Sequence, residues 1–206
     1  GIMNTVLLNK LDKLGIGGLG CLGGVPGTLG GAIRMNAGTR IGEIGATVAF
    51  VRVMLPNGET QTLRPSEIDF RYRRATLPEG AIVTRAGLWV SRENHKEERE
   101  QISEHLAYRK ASQPLDQPSC GSTFKNPPGD AAGRLIDAAG LKGATEGGAK
   151  ISEKHANFFI NDGNATAMDL YRLIKRARDT VADQFGVTLE PEVHAVGDWP
   201  DGLWPL

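Results

Sequence analysis

The sequence has little of what marks several common classes of protein. Among its 206 residues are two cysteines, Cys21 and Cys120, and four histidines without ligand spacing. Neither a disulfide framework nor a metal site is therefore expected. No apolar run approaches the roughly 18 residues of a membrane span, and no signal-peptide pattern is present. Basic and acidic residues both number 24, so bulk charge predicts no nucleic-acid or membrane partner. We expect a cytoplasmic protein that holds any anion at a local site.

Glycine, in contrast, is abundant near the start of the chain. Residues 23–38 read GGVPGTLGGAIRMNAG, with six glycines among sixteen residues. Because glycine inside a helix or strand costs roughly 0.5–1 kcal/mol relative to alanine, this composition predicts a loop. Its N–H groups can approach a phosphate or diphosphate closely. The alternative is a series of tight turns without a ligand, which is the favoured interpretation of an isolated glycine-rich loop.

Hydrophobic periodicity divides the first half of the chain into helices and strands. Asn57-Gly58 separates two strand-like runs and is the strongest short-range signal of a β-hairpin. A charged helix with a thin apolar stripe follows, and we place the domain boundary at its start, giving domains 1–95 and 96–206. The predicted elements are a helix at 5–14 capped by Asn4 or Thr5, strands at 46–55, 59–63 and 81–90, and a helix at 93–111.

The second half carries a polar segment, SCGSTFKNP at 119–127, between helical and strand-like patterns. Thr166 and Asp169 resemble a capping box that begins a strongly amphipathic helix, which Gly186 ends. In the run 187–196, alternation places Glu190, Glu192 and His194 on one face of a strand. The other predicted elements are a helix at 131–139 with Asp130 as its cap and Gly140 after it, and a strand at 156–161. Together the elements predict an α+β protein.

Polar residues in three segments are candidates for chemistry. Ser122 lies in a polar loop without a nucleophile elbow, so an acyl-transfer serine is not expected. Arg71, Arg73 and Arg74 surround Tyr72 and are able to bind a carboxylate or phosphate, although a solvated basic edge is the favoured alternative. Glu192 is either an acid or charge stabiliser, or an exposed strand glutamate. A further cluster is either a phosphate site or a charged loop, and consists of Lys150, Lys154 and His155.

Taken together, the motifs resemble those of the UDP-N-acetylenolpyruvoylglucosamine reductases, the MurB flavoenzymes of peptidoglycan precursor synthesis. The matching segments appear in the family's order and span nearly the whole chain. They are VPGT at 25–28, MNAG at 35–38, FRYR at 70–73, GSTFKNP at 121–127 and PEV at 191–193. Several such matches in order are far more specific than one glycine-rich loop.

The resemblance implies a reaction and assigns site residues. In the family, NADPH reduces FAD, and the flavin then gives a hydride to the enolpyruvyl double bond of the UDP-sugar. By resemblance, Ser122 donates the proton at carbon, while Arg73 and Glu192 polarise the substrate carboxylate and stabilise the enolate. Lys125 and Asn126 would hold the sugar nucleotide, and Tyr72 would line the site. The implied FAD-binding residues are Gly24, Val25, Pro26, Gly27, Thr28, Gly30, Asn36 and Gly38.

The resemblance also implies an architecture. The chain would be the second lobe of a two-lobed FAD-binding domain of the PCMH/MurB type, followed by an α+β substrate-binding C-terminal domain. The family's upstream lobe, with its G-x-G-S-N loop, has no counterpart in these 206 residues. We therefore expect weak FAD affinity and self-association for the chain alone. Two other functions stay open: a non-catalytic remnant that binds the UDP-sugar or needs a separate lobe, and another flavoprotein of the same superfold.

Overall fold

The computed structural model describes residues 1–200 and residue 203, which form two compact units. Unit 1 is Gly1–Tyr108 and unit 2 is Arg109–Leu206. The two units divide between Tyr108 and Arg109, within the helix His95–Ser112. The expected boundary after residue 95 would place all of this helix except His95 in the second domain. Within the described residues, none of the helices is long and apolar enough to cross a membrane.

The helices and strands of both units are mixed along the chain, which confirms the predicted α+β class. Unit 1 contains α1 (Asn4–Lys13), α2 (Leu29–Arg34), β1 (Gly38–Thr39), β2 (Gly42–Glu43), β3 (Val48–Met54), β4 (Thr60–Leu63), β5 (Asp69–Arg71), β6 (Arg74–Thr76), β7 (Ile82–Leu88) and most of α3 (His95–Ser112). Unit 2 contains β8 (Ser119–Ser122), α4 (Ala132–Ala138), β9 (Thr145–Glu146), β10 (Ala149–Ile151), β11 (Phe158–Asn161) and α5 (Ala167–Phe185).

The main sheet of unit 1 is antiparallel, with strand order β4–β3–β7. The hairpin predicted at Asn57-Gly58 is confirmed, because Met54 pairs with Thr60 across it and Gly58 has a φ of 86°. Val51 and Val53 are fully buried, while Arg52 and Met54 between and after them are exposed. This alternation gives the sheet one face toward the core of unit 1 and one toward solvent.

The glycine-rich segment contains a short helix, which corrects the expectation of a continuous loop. Helix α2 begins after Thr28, whose side chain accepts the Gly31 N–H at 3.3 Å. Ala32 and Ile33 are buried on its inner face. Burial of this face compensates for the low helix propensity of glycine, since tertiary packing commonly overrides propensity.

Helix α1 starts one residue earlier than predicted and without the predicted cap. Met3 precedes it and no side chain caps it. Asn4 is instead buried in the first turn, where its backbone N–H donates to the Gly27 carbonyl at 2.9 Å. Its side-chain amide donates to the Val25 carbonyl at 3.3 Å. Asn4 therefore ties α1 to the glycine-rich segment rather than capping the helix.

Unit 2 packs α4 and α5 with a sheet of strand order β8–β11–β10–β9. The rings of Phe124 and Phe159 meet edge to face in its core, with centroids 5.9 Å apart. The predicted amphipathic helix is confirmed as α5, with the Thr166–Asp169 capping box and Gly186 in the left-handed region. Its buried face consists of Tyr171, Leu173, Ile174, Ala177 and Val181.

Two predictions for unit 2 are wrong. Residues 187–196 are not a strand, because the segment makes only an isolated bridge between Pro191 and Phe124. Pro191 has no N–H to donate to a ladder. Asp130 does not cap α4, since its carboxylate accepts the Ala131 N–H at 2.7 Å and pairs with Arg134.

The first turns of α3 belong with unit 1 because Glu98 binds the backbone at Gly18 and Gly20, just before the glycine-rich segment. Its carboxylate accepts the Gly18 N–H at 2.8 Å and the Gly20 N–H at 2.5 Å. His95 contacts Asp12 of α1 at 3.0 Å. A Cβ at Gly20 would lie 2.7 Å from Glu98 Oε1 and 2.8 Å from its Cγ. A methyl group at this position would therefore displace the Glu98 side chain from its two hydrogen bonds.

We therefore predict that Gly20→Ala destabilises unit 1 by about 1–3 kcal/mol, because the added methyl overpacks the Glu98 contact. Gly31→Ala is the control, since its Cβ would meet nothing nearer than Thr28 Oγ1 at 3.5 Å. Urea titrations followed by the NMR signals of β3 report the free energy of unfolding of unit 1. Wild-type stability in Gly20→Ala would contradict this role of Glu98.

Candidate functional site

In unit 1, the loop before α2 leaves one position open to an approaching group. Gly27 has a φ of 98°, and a Cβ placed on it would meet no atom within 4 Å. Its carbonyl is held by the Asn4 N–H at 2.9 Å. Glycine is required here by the backbone conformation, and the space beside it is empty of protein atoms. The backbone at Gly27 is therefore accessible from solvent, and its contact with a diphosphate stays a prediction.

The other predicted FAD-binding residues of the loop make contacts within unit 1. The Val25 carbonyl accepts from Asn4, and Thr28 caps α2. Gly24 is half-buried with a φ of 75°, whereas Pro26 is exposed. In α2, a Cβ on Gly30 would make ordinary contact with Val83 at 3.5 Å. The structure thus gathers these residues into one loop, and their contacts with FAD stay a prediction.

Gly38 has a structural reason to be glycine. It pairs with Glu43 in the short β1–β2 hairpin, and a Cβ on it would lie 2.4 Å from the Gly42 carbonyl oxygen. The close approach at this position is therefore to the chain's own backbone.

Asn36 joins three parts of unit 1. It is almost fully buried and has a φ of 42°, which asparagine tolerates better than most residues. Its amide nitrogen donates to Glu43 Oε2 at 2.8 Å and to the Arg71 carbonyl at 2.9 Å. Its amide oxygen accepts the Gly45 N–H at 2.9 Å. The side chain is thus bonded within unit 1 and anchors the β5–β6 hairpin next to its turn.

That hairpin carries Tyr72 and Arg73 in its two-residue turn, where Arg71 pairs with Arg74. Arg73 has a φ of 56°, a conformation that costs a non-glycine residue about 1–3 kcal/mol. Its guanidinium carbon lies 4.8 Å from the centroid of the Tyr72 ring. Arg73 is half-buried, whereas Arg71 and Arg74 are exposed. The alternative of a solvated basic edge therefore describes its two neighbours better than Arg73.

In unit 2, Ser122 ends β8 opposite Phe158 of β11 and is half-buried. The chain beyond it is flanked by the segment that carries Glu192. The Glu192 N–H donates to the Thr123 carbonyl at 2.8 Å, and Phe124 bridges Pro191. The structure therefore brings the segments of Ser122 and Glu192 side by side, although the two are distant in sequence.

Lys125 and Asn126 follow Ser122 and both have partners in unit 2. The Lys125 ammonium pairs with the Glu190 carboxylate at 2.5 Å, and its backbone N–H donates to the Glu190 carbonyl at 2.9 Å. The Asn126 amide oxygen accepts the Ala132 N–H at 3.0 Å. Asn126 thus fulfils at the start of α4 the role predicted for Asp130. Their contacts with a sugar nucleotide stay a prediction.

The thiol of Cys120, two residues before Ser122, has a pKa that is shifted by its surroundings. Burial raises the pKa of its thiol, and the negative charge of Glu192 acts in the same direction. A hydrogen bond at the Cys120 backbone opposes both effects on this pKa. The Glu192 carboxylate therefore lies near enough to β8 for its charge to act on the Cys120 thiol.

The second basic cluster is engaged in contacts within unit 2. Lys150 pairs with Glu153 at 2.9 Å, and the Lys154 ammonium donates to the Lys110 carbonyl at 2.7 Å. His155 accepts the Asn157 N–H through Nδ1 at 3.2 Å. These contacts favour the charged-loop alternative over a phosphate site. Among residues 1–200 and 203, no group of histidine, cysteine, aspartate and glutamate side chains is arranged to hold a metal.

Sequence reasoning missed Asn157, which is buried at 3% exposure beside the Ser122 segment. Its side-chain amide accepts the Phe124 N–H at 2.9 Å and donates to the Phe124 carbonyl at 2.8 Å. The available signal was a polar residue inside the otherwise apolar run 156–160. Such a residue needs a partner when it is buried.

Comparison with known proteins agrees with these motifs. The family model of the UDP-N-acetylenolpyruvoylglucosamine reductase C-terminal domain matches residues 113–196. The reductase of Moorella thermoacetica is 45% identical over 197 residues, which cover 96% of this chain and 64% of the relative. That of Methylococcus capsulatus is 50% identical over 177 residues, covering 86% of this chain and 58% of the relative. The chain thus spans about 60% of the length of these curated relatives.

A solved structure extends the similarity to the fold. The crystal structure of the MurB reductase from Thermus caldophilus superposes with a TM-score of 0.84 at 40% identity, covering 94% of this chain and 70% of that chain. These matches define the class as mixed α+β proteins of the MurB fold, with a MurB-type C-terminal domain in unit 2. Within that class, the chain belongs to the UDP-N-acetylenolpyruvoylglucosamine reductase family, and the resemblance of its motifs is confirmed.

His155 gives a pH-dependent prediction for unit 2. Burial, followed by the charge of Lys142, lowers the pKa of its imidazole below 6.5, opposed by a backbone hydrogen bond. The folded-state pKa lies below that of the unfolded chain, so protonation favours unfolding. Its contribution to stability is present above about pH 6.5 and is lost as the pH falls through the folded-state pKa.

The free energy of unfolding of unit 2 should therefore fall more steeply in the wild type than in His155→Gln between about pH 7.5 and pH 5. Glutamine offers an acceptor for the Asn157 N–H but does not titrate. Urea titrations across this range measure the difference. Parallel pH profiles would show that His155 makes no such contribution.

Proposed function

We propose that this chain carries the substrate chemistry of an NADPH-dependent flavoenzyme that reduces UDP-N-acetylenolpyruvoylglucosamine to UDP-N-acetylmuramate, in peptidoglycan precursor synthesis. The observation that carries the proposal is the pairing of the Ser122 and Glu192 segments through the Thr123 carbonyl. These residues occupy the family's G-S-x-F-K-N-P and P-E-V motifs. The names of the relatives and the MurB fold support the reaction.

Ser122 is assigned the proton transfer. Reduction of the enolpyruvyl double bond places negative charge on the substrate, and a proton must then reach carbon. The Ser122 hydroxyl donates that proton, which leaves an alkoxide. Because a serine hydroxyl has a high pKa, this donation requires positive charge nearby in the substrate complex.

Arg73 and Glu192 are assigned to the substrate carboxylate and the enolate, and Glu192 stabilises this negative charge only when it is protonated and donates a hydrogen bond. A guanidinium binds a carboxylate with two parallel hydrogen bonds and stabilises added negative charge on it. Asn36 anchors the hairpin that carries Arg73 through the Arg71 carbonyl, and the Arg73 guanidinium lies over the Tyr72 ring. Lys125 and Asn126 are assigned to the sugar nucleotide, and Tyr72 lines the site.

The residues that would hold FAD are those of the glycine-rich loop, from Gly24 to Gly30 together with Asn36 and Gly38. Open space beside Gly27 supports a diphosphate at this loop. When bound, FAD supplies the hydride that it receives from NADPH. The role of the chain's own residues is to seat the cofactor, exclude water and deliver the proton.

The first alternative is a chain that binds the UDP-sugar without catalysis or that needs a separate upstream lobe, and the second is another flavoprotein of the same superfold. The chain spans about 60% of the length of these relatives, so part of the cofactor site can lie outside it. The affinity of the chain for FAD therefore tests whether a separate lobe is needed. Loss of one flank of the cofactor site would expose apolar surface worth roughly 25 cal/mol per Å².

We therefore predict that the 206 residues alone purify colourless and bind added FAD weakly. Supplying the upstream lobe of a relative, fused or as a separate chain, should restore yellow colour and turnover together. Flavin absorbance and the oxidation of NADPH measure both properties. A yellow and active preparation of the chain alone would overturn the requirement for a second lobe. Colour without turnover would favour the non-catalytic alternative.

In enzyme that holds FAD, Ser122→Ala should leave reduction of the flavin by NADPH unchanged and slow its reoxidation by the UDP-sugar by about 10²–10⁴-fold. Stopped-flow absorbance separates the two half-reactions. Ser119→Ala is the matched control, because Ser119 lies on the same strand β8 and is exposed. Near-normal reoxidation in Ser122→Ala would remove Ser122 from the mechanism.

A further inference from the structure

Asn157 continues the sheet of unit 2 with its side chain. The register between β11 and β8 shifts between Phe158 and Ile160, and Ser122 is the last residue of β8 to pair. Beyond this point, both polar backbone groups of Phe124 bond to the Asn157 side-chain amide, at 2.9 and 2.8 Å. The amide thus takes the place that a peptide group would hold in a regular ladder.

The backbone of Asn157 holds the residue between Ser122 and Phe124. Its carbonyl accepts the Thr123 N–H at 2.8 Å, while the Thr123 carbonyl accepts the Glu192 N–H at 2.8 Å. The backbone of Thr123 therefore lies between Asn157 on one side and Glu192 on the other. Asn157 and Glu192 thus bond to the same residue, Thr123, which directly follows Ser122.

Because this group of residues is buried, its hydrogen bonds depend on the asparagine side chain at position 157. Asn157, Thr123 and Phe124 are all buried, so a lost partner would not be replaced readily by water. An amide both donates and accepts, whereas a carboxylate only accepts when ionised. Asparagine is therefore suited to satisfying both backbone groups of Phe124 from one side.

We propose that Asn157 is a positioning residue for Ser122 and Glu192. It fixes the Thr123–Phe124 backbone, and through that backbone it sets the relative placement of the proton donor and the carboxylate. The catalytic part of this inference rests on the proposed function. The positioning part concerns the backbone alone and is testable without activity.

The first experiment measures amide hydrogen exchange by NMR in the 206-residue chain. In Asn157→Ala, exchange at Phe124 and Glu192 should accelerate more than about tenfold, because their hydrogen bonds lose their support. The Ile151 N–H, which donates to the Ala144 carbonyl at 2.9 Å, reports whether unit 2 stays folded. If the Phe124 amide exchanged faster while the Glu192 amide stayed as protected as in the wild type, the link between Asn157 and Glu192 would be overturned.

Asn161→Ala is the matched control for this experiment. Asn161 ends the same strand β11, and its side-chain oxygen accepts the Gly163 and Ala165 N–H groups at 3.1 and 3.0 Å. Its loss should leave Phe124 and Glu192 protected. If Asn157→Ala fails to fold, Asn157→Asp replaces it. Aspartate keeps an acceptor for the Phe124 N–H and, when ionised, has no donor for the Phe124 carbonyl, so exchange at Glu192 should be faster than in Asn161→Ala.

The second experiment uses enzyme loaded with FAD. Asn157→Ala should slow reoxidation by the UDP-sugar roughly 10–10²-fold, since misplacing a reacting group by about 1 Å has effects of this size. Reduction by NADPH should stay at the wild-type rate. A general loss of structure would lower both half-reactions together, which would overturn the positioning role. If the wild-type loaded enzyme itself does not reduce the UDP-sugar, the proposed function fails, while the exchange experiment still decides whether Asn157 fixes the backbone.

Discussion

Hydrogen bonding of buried asparagine side chains underlies both candidate catalytic segments. A buried amide must find partners, and it finds them here on backbone groups distant in sequence. Asn36 binds the Arg71 carbonyl before the turn that carries Arg73, and Asn157 binds Phe124 next to the Ser122 segment. Removing Asn157 would leave both backbone groups of Phe124 buried without partners, and removing Asn36 would take the partner from partly buried groups of Gly45 and Arg71. The geometry of these segments is therefore coupled to the packing of each core.

The sequence predicted the elements whose signals are local. The hairpin at Asn57-Gly58 and helix α5, with its capping box and Gly186, each follow from residues within a few positions of one another. The predicted strand at 187–196 failed because alternation alone does not provide a ladder partner. The helix within the glycine-rich segment escaped prediction because burial of Ala32 and Ile33 outweighs the propensity of glycine.

For the site, the motifs named the residues but not what surrounds them. The contacts of Asn157 with Phe124 span 33 residues, and that of Asn36 with Arg71 spans 35. Pairings of this length depend on the folded topology and leave no local pattern. Asn126 illustrates the same limit, since its motif predicts a ligand contact but does not reveal that its side-chain oxygen accepts the Ala132 N–H at the start of α4. The sequence motifs therefore predict candidate residues, but not the contacts that those residues make within the fold.

The left-handed backbone of Arg73 lowers the stability of unit 1, whereas the proposed function requires the Arg73 side chain. A left-handed conformation suits glycine, and a glycine at this turn would relieve strain that arginine imposes. Unit 1 therefore gives up some free energy of unfolding to present a guanidinium at this point. Replacing Arg73 by glycine would therefore relax the turn and also remove the guanidinium that lies over the Tyr72 ring, so the strain and the charge belong to the same residue.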